Sequence, residues 1–203
     1  MNLPNKITVG RFGLSILLFA MLVVTDTCSD PAWGWGAPAL AGAIFILAVA
    51  TDALDGYYAR KLGQQSDFGR IADPVVDKVI VCGAFIFLAS VPWARVYVDV
   101  WMAVVIVGRE FLVNALRGYI EARGVAFPAR WDGKLKMIFQ CIAVPAVFLV
   151  HTVDLAFGTS VAWLWDLSVF LAVFFVWATF VLTVTSGVRY VQAAAAVLKE
   201  SES

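Results

Sequence analysis

Long apolar stretches, separated by short segments rich in polar residues, glycine and proline, form the dominant pattern of this sequence. A helix needs about 20 apolar residues to cross a hydrocarbon layer of about 30 Å, and six stretches are long enough. The last of them exceeds that length, which is typical of a tilted helix or of one that begins with an interfacial turn. The pattern therefore predicts an all-α integral membrane fold with six transmembrane helices: Ile7–Thr25, Ala37–Tyr58, Pro74–Val91, Val96–Tyr119, Leu135–Val153 and Ser160–Tyr190.

The composition indicates that the bilayer is the main solvent of this chain. Of its 203 residues, 62% are hydrophobic and 15% are charged, which lies outside the range of soluble globular domains. The formal net charge is zero, so bulk electrostatics gives no support for a nucleic-acid partner. No internal repeat or soluble insertion interrupts the apolar pattern. We therefore expect residues 1–203 to form a single membrane-embedded domain, without a cleaved signal peptide.

Lysine and arginine are distributed unevenly between the two sides of the predicted bundle. The loops after the first, third and fifth predicted helices contain a single basic residue, Arg95, and several tryptophans. Most of the other basic residues fall on the opposite side. Because positively charged loops stay in the cytoplasm, both termini are predicted to be cytoplasmic. The chain is expected to be a multi-pass protein of the cell (inner) membrane.

Four aspartates occur at helical spacing near the cytoplasmic ends of the second and third predicted helices. Asp52 and Asp55 are three residues apart, and Asp73 and Asp77 are four apart, so each pair shares a helix face. Ionised carboxylates inside a membrane repel one another and are costly to bury. Their hard oxygen atoms suit Mg²⁺, Mn²⁺ or Ca²⁺, and four of them can bridge two ions about 3.5–4 Å apart. The spacing therefore predicts a site for divalent metals and phosphoryl chemistry.

Two further residues of the second helix fit the same chemistry. Gly56 leaves room for a phosphate to approach the helix, and Arg60 offers a planar fork to a diphosphate. In the alternative interpretation, the first two aspartates pair with Arg60 and Lys61, and Asp73 only caps a helix whose first residue is Pro74. A divalent-cation transporter is an alternative function, because intramembrane aspartates also line ion pathways. It leaves the glycine, the arginine and their spacing unexplained.

The spacing of these residues resembles the motif of the CDP-alcohol phosphatidyltransferase family. The family pattern D-x-x-D-G-x-x-A-R, eight residues, G-x-x-x-D-x-x-x-D matches residues 52–77 at every fixed position. The resemblance implies the fold of that family, with six transmembrane helices around a cytoplasm-facing polar cavity and usually a homodimer. It also implies a donor that carries CDP, here CDP-diacylglycerol, and leaves the acceptor alcohol open.

Site residues follow from this resemblance, position by position. Asp52, Asp55, Asp73 and Asp77 are similar to the family's ligands of two metal ions, Mg²⁺ or Mn²⁺, and Asp77 also resembles its general base. The residues that resemble contacts to the CDP-lipid are Asn5, Thr8, Gly56, Arg60, Ser66 and Gly69.

The part of the chain from the fourth to the fifth helix resembles the phosphatidylglycerophosphate synthase branch of the family. Arg109 and Arg117 are eight residues apart on one face of the fourth helix, and Lys134 and Lys136 stand at the start of the fifth. Cations there would hold a second anion apart from the donor diphosphate, as a phosphorylated alcohol requires. These four residues and Arg189 are predicted to bind the acceptor phosphate. The resemblance implies that glycerol 3-phosphate receives the phosphatidyl group and that CMP is released.

Other acceptor alcohols within the same family stay open. In and just beyond the segment 108–136, Arg130 and Met137 replace a serine and a threonine that are usual in that branch. The acceptor of this chain would then be phosphatidylglycerol, as in a cardiolipin synthase, or an inositol phosphate.

A purely structural interpretation of the cations is also open. Arg109 would then pair with Glu110 or with a cavity aspartate. Lys134 and Lys136 would face lipid headgroups, which attract basic side chains.

Overall fold

A computed structural model of the chain describes residues 3–27, 34–62, 67–125 and 131–200. Within these ranges it describes only the backbone of 3–9, Arg11, 52–77, Thr159, Leu198 and Glu200. The long elements are all helices, and the described residues contain no β-strand. The helices are α1 (Leu3–Thr27), α2 (Gly36–Leu62), α3 (Asp67–Ser90), α4 (Pro92–Arg95), α5 (Val100–Ala122), α6 (Trp131–Phe157) and α7 (Ala162–Glu200). The predicted all-α fold is confirmed.

Each predicted transmembrane stretch coincides with one of the longer helices, and the short α4 has no counterpart in the predicted pattern. Among the described residues, Trp131–Phe157 and Ala162–Val197 are long and apolar enough to cross a membrane. The apolar parts of three other helices are shorter: Phe12–Thr27, Gly36–Thr51 and Lys78–Ser90. The arrangement of six spans therefore stays a prediction.

Helix α3 begins earlier than the apolar pattern predicts. The pattern places its start at Pro74, whereas the helix begins at Asp67 and contains both Asp73 and Pro74. The interpretation of Asp73 as the cap of a helix that starts at Pro74 is therefore wrong. The physical reason is that proline removes one backbone hydrogen bond, and a long helix packed against α1 and α5 tolerates that loss.

Local signals set both ends of α5 and the end of α6. Gly124 (φ 78°) follows α5 and Gly158 (φ 52°) follows α6, both in the left-handed region that glycine adopts without a Cβ clash. At the other end of α5, the side chain of Asp99 accepts a hydrogen bond from the amide of Val100 at 2.6 Å. These residues fix the length of α5 and hence the position of its charged half.

The helices pack around one large apolar core. Helices α6 and α7 pack along each other, α2 lies against α1 and α6, and α5 lies against α3 and α7. In the core, Phe45 of α2, Phe85 of α3 and Phe148 of α6 are at most 1% exposed. A smaller buried cluster joins α5 to α7 and consists of Val113, Ile120, Tyr190 and Ala194. Apolar packing therefore accounts for most of the bundle.

Large apolar side chains also cover the outside of the bundle. Trp163 is 68% exposed, and Phe111 and Phe170 are each 63% exposed. Exposed apolar side chains of this size are unfavourable in water and favourable in lipid. The outer surface of these helices is therefore suited to contact with a bilayer.

Gly42 lets α2 approach α6 closely. A Cβ at this position would lie 3.3 Å from the Cβ of Phe148. Small residues bring helix backbones together in this way in membrane proteins. Because the Cβ of Phe148 is fixed to the backbone of α6, a larger residue at Gly42 fits only if the two helices separate.

We expect Gly42→Val to lower the free energy of unfolding by about 1–3 kcal/mol, because the branched side chain overpacks the contact between α2 and α6. Gly118→Val is the matched control, since a Cβ on Gly118 would have no such neighbour within 4 Å. Its effect should stay within about 0.5 kcal/mol. Denaturant titration of the purified protein in detergent measures both values. Equal destabilisation by the two variants would contradict the close contact at Gly42.

Candidate functional site

The four predicted metal ligands lie on two helices that contact each other. Asp52 and Asp55 belong to α2, Asp73 and Asp77 belong to α3, and both helices are continuous at these positions. The helical spacing within each pair is therefore confirmed. The side chains of all four lie outside the described residues, so their role as metal ligands stays a prediction. Elsewhere, where side chains are described, no three of His, Cys, Asp and Glu gather as a metal site.

Five of the six predicted contacts to the donor lie on α1, α2 and α3, and these helices contact one another. For these residues the structure describes only the helical backbone of Asn5, Thr8, Gly56, Arg60 and Gly69, and Ser66 lies outside the described residues. Their assignment to the donor therefore also stays a prediction.

A cavity of about 200 Å³ lies among α3, α5, α6 and α7. Four of the predicted acceptor-site residues line it, so the structure brings together Arg109, Arg117, Lys134 and Lys136. Helix α3 adds a fifth cation, Lys78. The other described residues of the lining are Val81, Cys82, Glu110, Val113, Asn114, Gly133, Met137, Gln140 and Tyr190. The described lining thus carries five basic side chains and one carboxylate.

That carboxylate, Glu110, contacts three of the cations. Its Oε2 is 3.0 Å from Nζ of Lys78, and its Oε1 is 3.4 Å from Nη1 of Arg109. Lys136 donates a hydrogen bond to the same Oε1. The side chains of Glu110 and Lys136 are only 8% and 4% exposed. Buried charges are tolerated only when they are paired, so Glu110 allows these cations to occupy the wall of the cavity.

Arg109 is held between α5 and α7. Its Nη2 donates a hydrogen bond to Oγ of Ser186 at 3.0 Å, and its guanidinium carbon lies 5.3 Å from the ring centre of Tyr190. A Cβ on Gly187 would lie 3.0 Å from Cγ of Arg109, so this glycine makes room for the stem of the arginine. Helix α7 therefore sets the direction in which Arg109 enters the cavity wall.

Arg117 packs on the same tyrosine. Its Nη2 donates to the hydroxyl of Tyr190 at 3.1 Å, and its guanidinium carbon lies 5.9 Å from the ring centre. The Nε atoms of Arg109 and Arg117 and the Nε2 atom of Gln140 are buried and have no hydrogen-bond partner among the described residues. A buried donor without a partner is costly. A bound anion would supply acceptors for such donors.

The remaining two predicted cations differ in their placement. Lys134 lines the cavity, is exposed, and has its Nζ 5.1 Å from the ring centre of Trp131. Arg189 does not line the cavity: its Nη1 donates to Oδ2 of Asp132 at 2.8 Å, and its side chain is 57% exposed. The structure therefore brings four of the five predicted acceptor residues together and leaves Arg189 at the surface.

The geometry separates the two interpretations of the cations. Arg109 pairs with Glu110, as the structural interpretation expects, but Lys136 is 3% exposed and does not face lipid headgroups. Arg117 and Lys134 have no carboxylate partner in the part of the chain whose side chains are described. Surplus positive charge in a partly enclosed cavity favours a small anion, and arginine suits the geometry of a phosphate.

Sequence reasoning missed three residues of this site and considered Glu110 only as a neutralising partner. Lys78 directly follows Asp77, the last aspartate of the motif, and this proximity to the predicted metal site is the signal that could have identified it. Ser186 and Tyr190 are 77 and 73 residues away from their arginine partners. Only the packing of α7 against α5 brings them together, and no local pattern predicts that contact.

Comparison with known proteins gives matches over nearly the whole chain. The CDP-alcohol phosphatidyltransferase family matches residues 1–185. A CDP-diacylglycerol–glycerol-3-phosphate 3-phosphatidyltransferase of Bacillus subtilis (strain 168) is 40% identical over 193 residues, which cover 93% of this chain and 93% of that protein. A protein of the same name in Rickettsia bellii (strain RML369-C) is 30% identical over 192 residues, which cover 95% of this chain and 94% of that protein.

The surplus of positive charge predicts that the cavity binds inorganic phosphate. Arg117→Gln should raise the dissociation constant for phosphate about tenfold, because it removes a charge-assisted hydrogen bond worth roughly 1.5–3 kcal/mol. Arg123→Gln is the matched control: it changes an exposed arginine beyond the same end of α5, and screening should keep its effect within about twofold. Isothermal titration calorimetry at constant ionic strength measures both constants. Equal losses would indicate unspecific attraction rather than a site.

Proposed function

The chain belongs to the CDP-alcohol phosphatidyltransferase family, and we propose that it transfers the phosphatidyl group from CDP-diacylglycerol to sn-glycerol 3-phosphate. The products are phosphatidylglycerophosphate and CMP, in the synthesis of anionic phospholipids. The observation that best supports this acceptor is the cavity with surplus positive charge beside α3. An alcohol that carries its own phosphate requires such a cavity, whereas a neutral alcohol does not. Relatives named for this reaction are similar to the chain over nearly its whole length.

The donor is proposed to bind at α1, α2 and α3. Four aspartates on two contacting helices offer hard oxygen ligands, a donor set that fits Mg²⁺ or Mn²⁺, with two ions per active site. Metal binding there would supply neutralisation of the diphosphate and of the charge on departing CMP. The residues proposed to bind metal are Asp52, Asp55, Asp73 and Asp77, and those proposed to contact the CDP moiety are Asn5, Thr8, Gly56, Arg60, Ser66 and Gly69.

The acceptor is proposed to bind with its phosphate in the cationic cavity. Arg117 and Lys134 offer positive charge that no carboxylate neutralises among the side chains that the structure describes, and Arg109 adds a guanidinium held in place by Ser186. Lys78, which lines the cavity, is the residue after Asp77 in α3. The cavity therefore lies beside the helix that carries half of the carboxylates, and an alcohol bound in it can approach the donor.

The reaction is proposed to be an in-line displacement at phosphorus. Asp77 takes the proton of the acceptor's primary hydroxyl, and the hydroxyl oxygen forms a bond to the β-phosphorus of the donor. The bond from that phosphorus to the bridging oxygen of the diphosphate breaks, and CMP leaves with the bridging oxygen and its electron pair. Catalysis of this kind depends mainly on positioning and on charge stabilisation.

The same proposal places the chain in the cell (inner) membrane as six transmembrane helices, with both termini and the active site on the cytoplasmic side. The uneven distribution of lysine and arginine supports this orientation. The exposed apolar side chains of the helices support contact with lipid. The acyl chains of the donor can then stay in the bilayer while its headgroup reacts. A homodimer is proposed from the family resemblance.

A CMP-release assay on the purified protein tests the function. With CDP-diacylglycerol and Mg²⁺ or Mn²⁺, glycerol 3-phosphate should support turnover, and phosphatidylglycerol or an inositol phosphate should give less than about a tenth of that rate. EDTA should abolish the activity, and added metal should restore it. A faster reaction with another acceptor would replace the proposed one. Full activity in EDTA would contradict the metal site.

Asp77→Asn should lower kcat by about 10²–10⁴-fold, because an amide cannot accept the proton of the acceptor hydroxyl. Asp154→Asn, an exposed change of the same kind near the other end of α6 from the cavity, is the matched control and should keep the wild-type rate. Gel filtration and the unfolding free energy show whether both variants are folded. Substantial turnover by a folded Asp77→Asn protein would rule out this residue as the base.

A further inference from the structure

The two ends of the cationic cavity differ in burial and in charge balance. The inner end is the part formed by Lys78, Glu110 and Lys136, and the outer end is the part formed by Arg117 and Lys134. The side chains of Glu110, Lys136 and Lys78 are 8%, 4% and 20% exposed, whereas Arg117 is half-buried and Lys134 is exposed. Of the described lining, the inner end contains the carboxylate and the outer end contains none.

Glu110 occupies the position that would otherwise attract an anion most strongly. Its two oxygens contact Lys78, Arg109 and Lys136, which come from α3, α5 and α6. Three cations that converge on one buried point would bind a phosphate in place of the carboxylate, because charge-assisted hydrogen bonds are strongest away from water. With Glu110 present, one of these three positive charges is offset, and the carboxylate occupies the point at which the donors of all three cations converge. The outer cations remain to bind the anion of a ligand.

The inner end is also close to the proposed chemistry. Lys78 follows Asp77 in α3, so the Cα atoms of these residues are about 3.8 Å apart. An acceptor with its phosphate at the inner end would present the phosphate, rather than the hydroxyl, to Asp77. A productive orientation therefore requires that the phosphate is kept out of the inner end.

We propose that Glu110 is a positioning residue that orients the acceptor by excluding its phosphate from the inner end of the cavity. The phosphate is held at the outer end by Arg117 and Lys134, and the primary hydroxyl points towards Asp77. Repulsion by the carboxylate and its occupation of the hydrogen-bond donors of the inner cations both act in this direction. This role rests on the proposed function and names the residue that sets the direction in which the acceptor binds.

Glu110→Gln tests the role because it removes the charge and keeps the size of the side chain. Inorganic phosphate should bind this variant about tenfold more tightly, while kcat with glycerol 3-phosphate falls about tenfold and the KM for the acceptor does not rise. Glu110→Asp keeps the carboxylate and should return the phosphate affinity to within about threefold of the wild-type value, with partial recovery of kcat. Calorimetry measures phosphate binding, and CMP release gives kcat and KM.

Glu121→Gln is the matched control, because it makes the same change at an exposed position of the same helix. It should leave phosphate affinity and kcat at their wild-type values. If Glu110 only supported the fold, Glu110→Gln would loosen the cations that it holds, and phosphate would bind more weakly. Weaker binding of phosphate by a folded Glu110→Gln protein would therefore overturn the proposal.

A second pair of variants applies if Glu110→Gln does not fold. With Glu110 in place, Lys78→Gln at the inner end should change the phosphate affinity by less than about twofold, and Arg117→Gln at the outer end should weaken it about tenfold. A larger loss from Lys78→Gln than from Arg117→Gln would place the phosphate at the inner end and contradict the proposal.

Phosphate binding is measured without donor and without turnover, so it is independent of the reaction. A wild-type protein that releases no CMP with glycerol 3-phosphate would overturn the proposed function. The opposite order of phosphate affinities, in a protein that does release CMP, would overturn only the role of Glu110.

Discussion

The contact of one buried carboxylate with three cations is the interaction on which the polar half of the structure depends. Glu110 joins Lys78 of α3, Arg109 of α5 and Lys136 of α6, and Ser186 links the arginine to α7. Buried charges carry a desolvation penalty that apolar side chains of the same size avoid. The rest of the core is packed by apolar residues and holds the helices together without them. The cost of this network is therefore best explained by the binding of a ligand.

Hydrophobic length and helical spacing predict the long helices and the aspartate pairs within them, because both patterns depend on residues that are near one another in sequence. Helical spacing also places Arg109 and Arg117 on one face, the family resemblance adds Lys134 and Lys136, and the structure confirms that these four line one cavity. The start of α3 is predicted too late, at Pro74, because proline is only common at the first turn of a helix and is not restricted to it. Local rules thus locate the elements better than their ends.

Contacts between helices that are distant in sequence could not be predicted from this chain alone. Ser186 and Tyr190 bind arginines more than 70 residues away, and the choice of the α7 face that meets α5 decides both contacts. Helix α7 is apolar over most of its length, so its sequence gives little indication of that face. Arg189 illustrates the consequence. It lies between Ser186 and Tyr190 in sequence, yet its position on the helix directs it to Asp132 at the surface.

Helix α3 contributes to both substrate sites of the proposed reaction. Consecutive residues of an α-helix are turned by about 100° around its axis, whereas residues four apart share a face. Position 77 therefore belongs to the same side of α3 as Asp73, and Lys78 belongs to the side that lines the cationic cavity. In the proposed reaction, the donor diphosphate and the acceptor phosphate would therefore lie against neighbouring faces of one helix, with the acceptor hydroxyl within reach of Asp77. Because this helix contributes to both sites, the reaction depends on the packing of α3 against α1 and α5, and a rotation of α3 would disturb both substrates together.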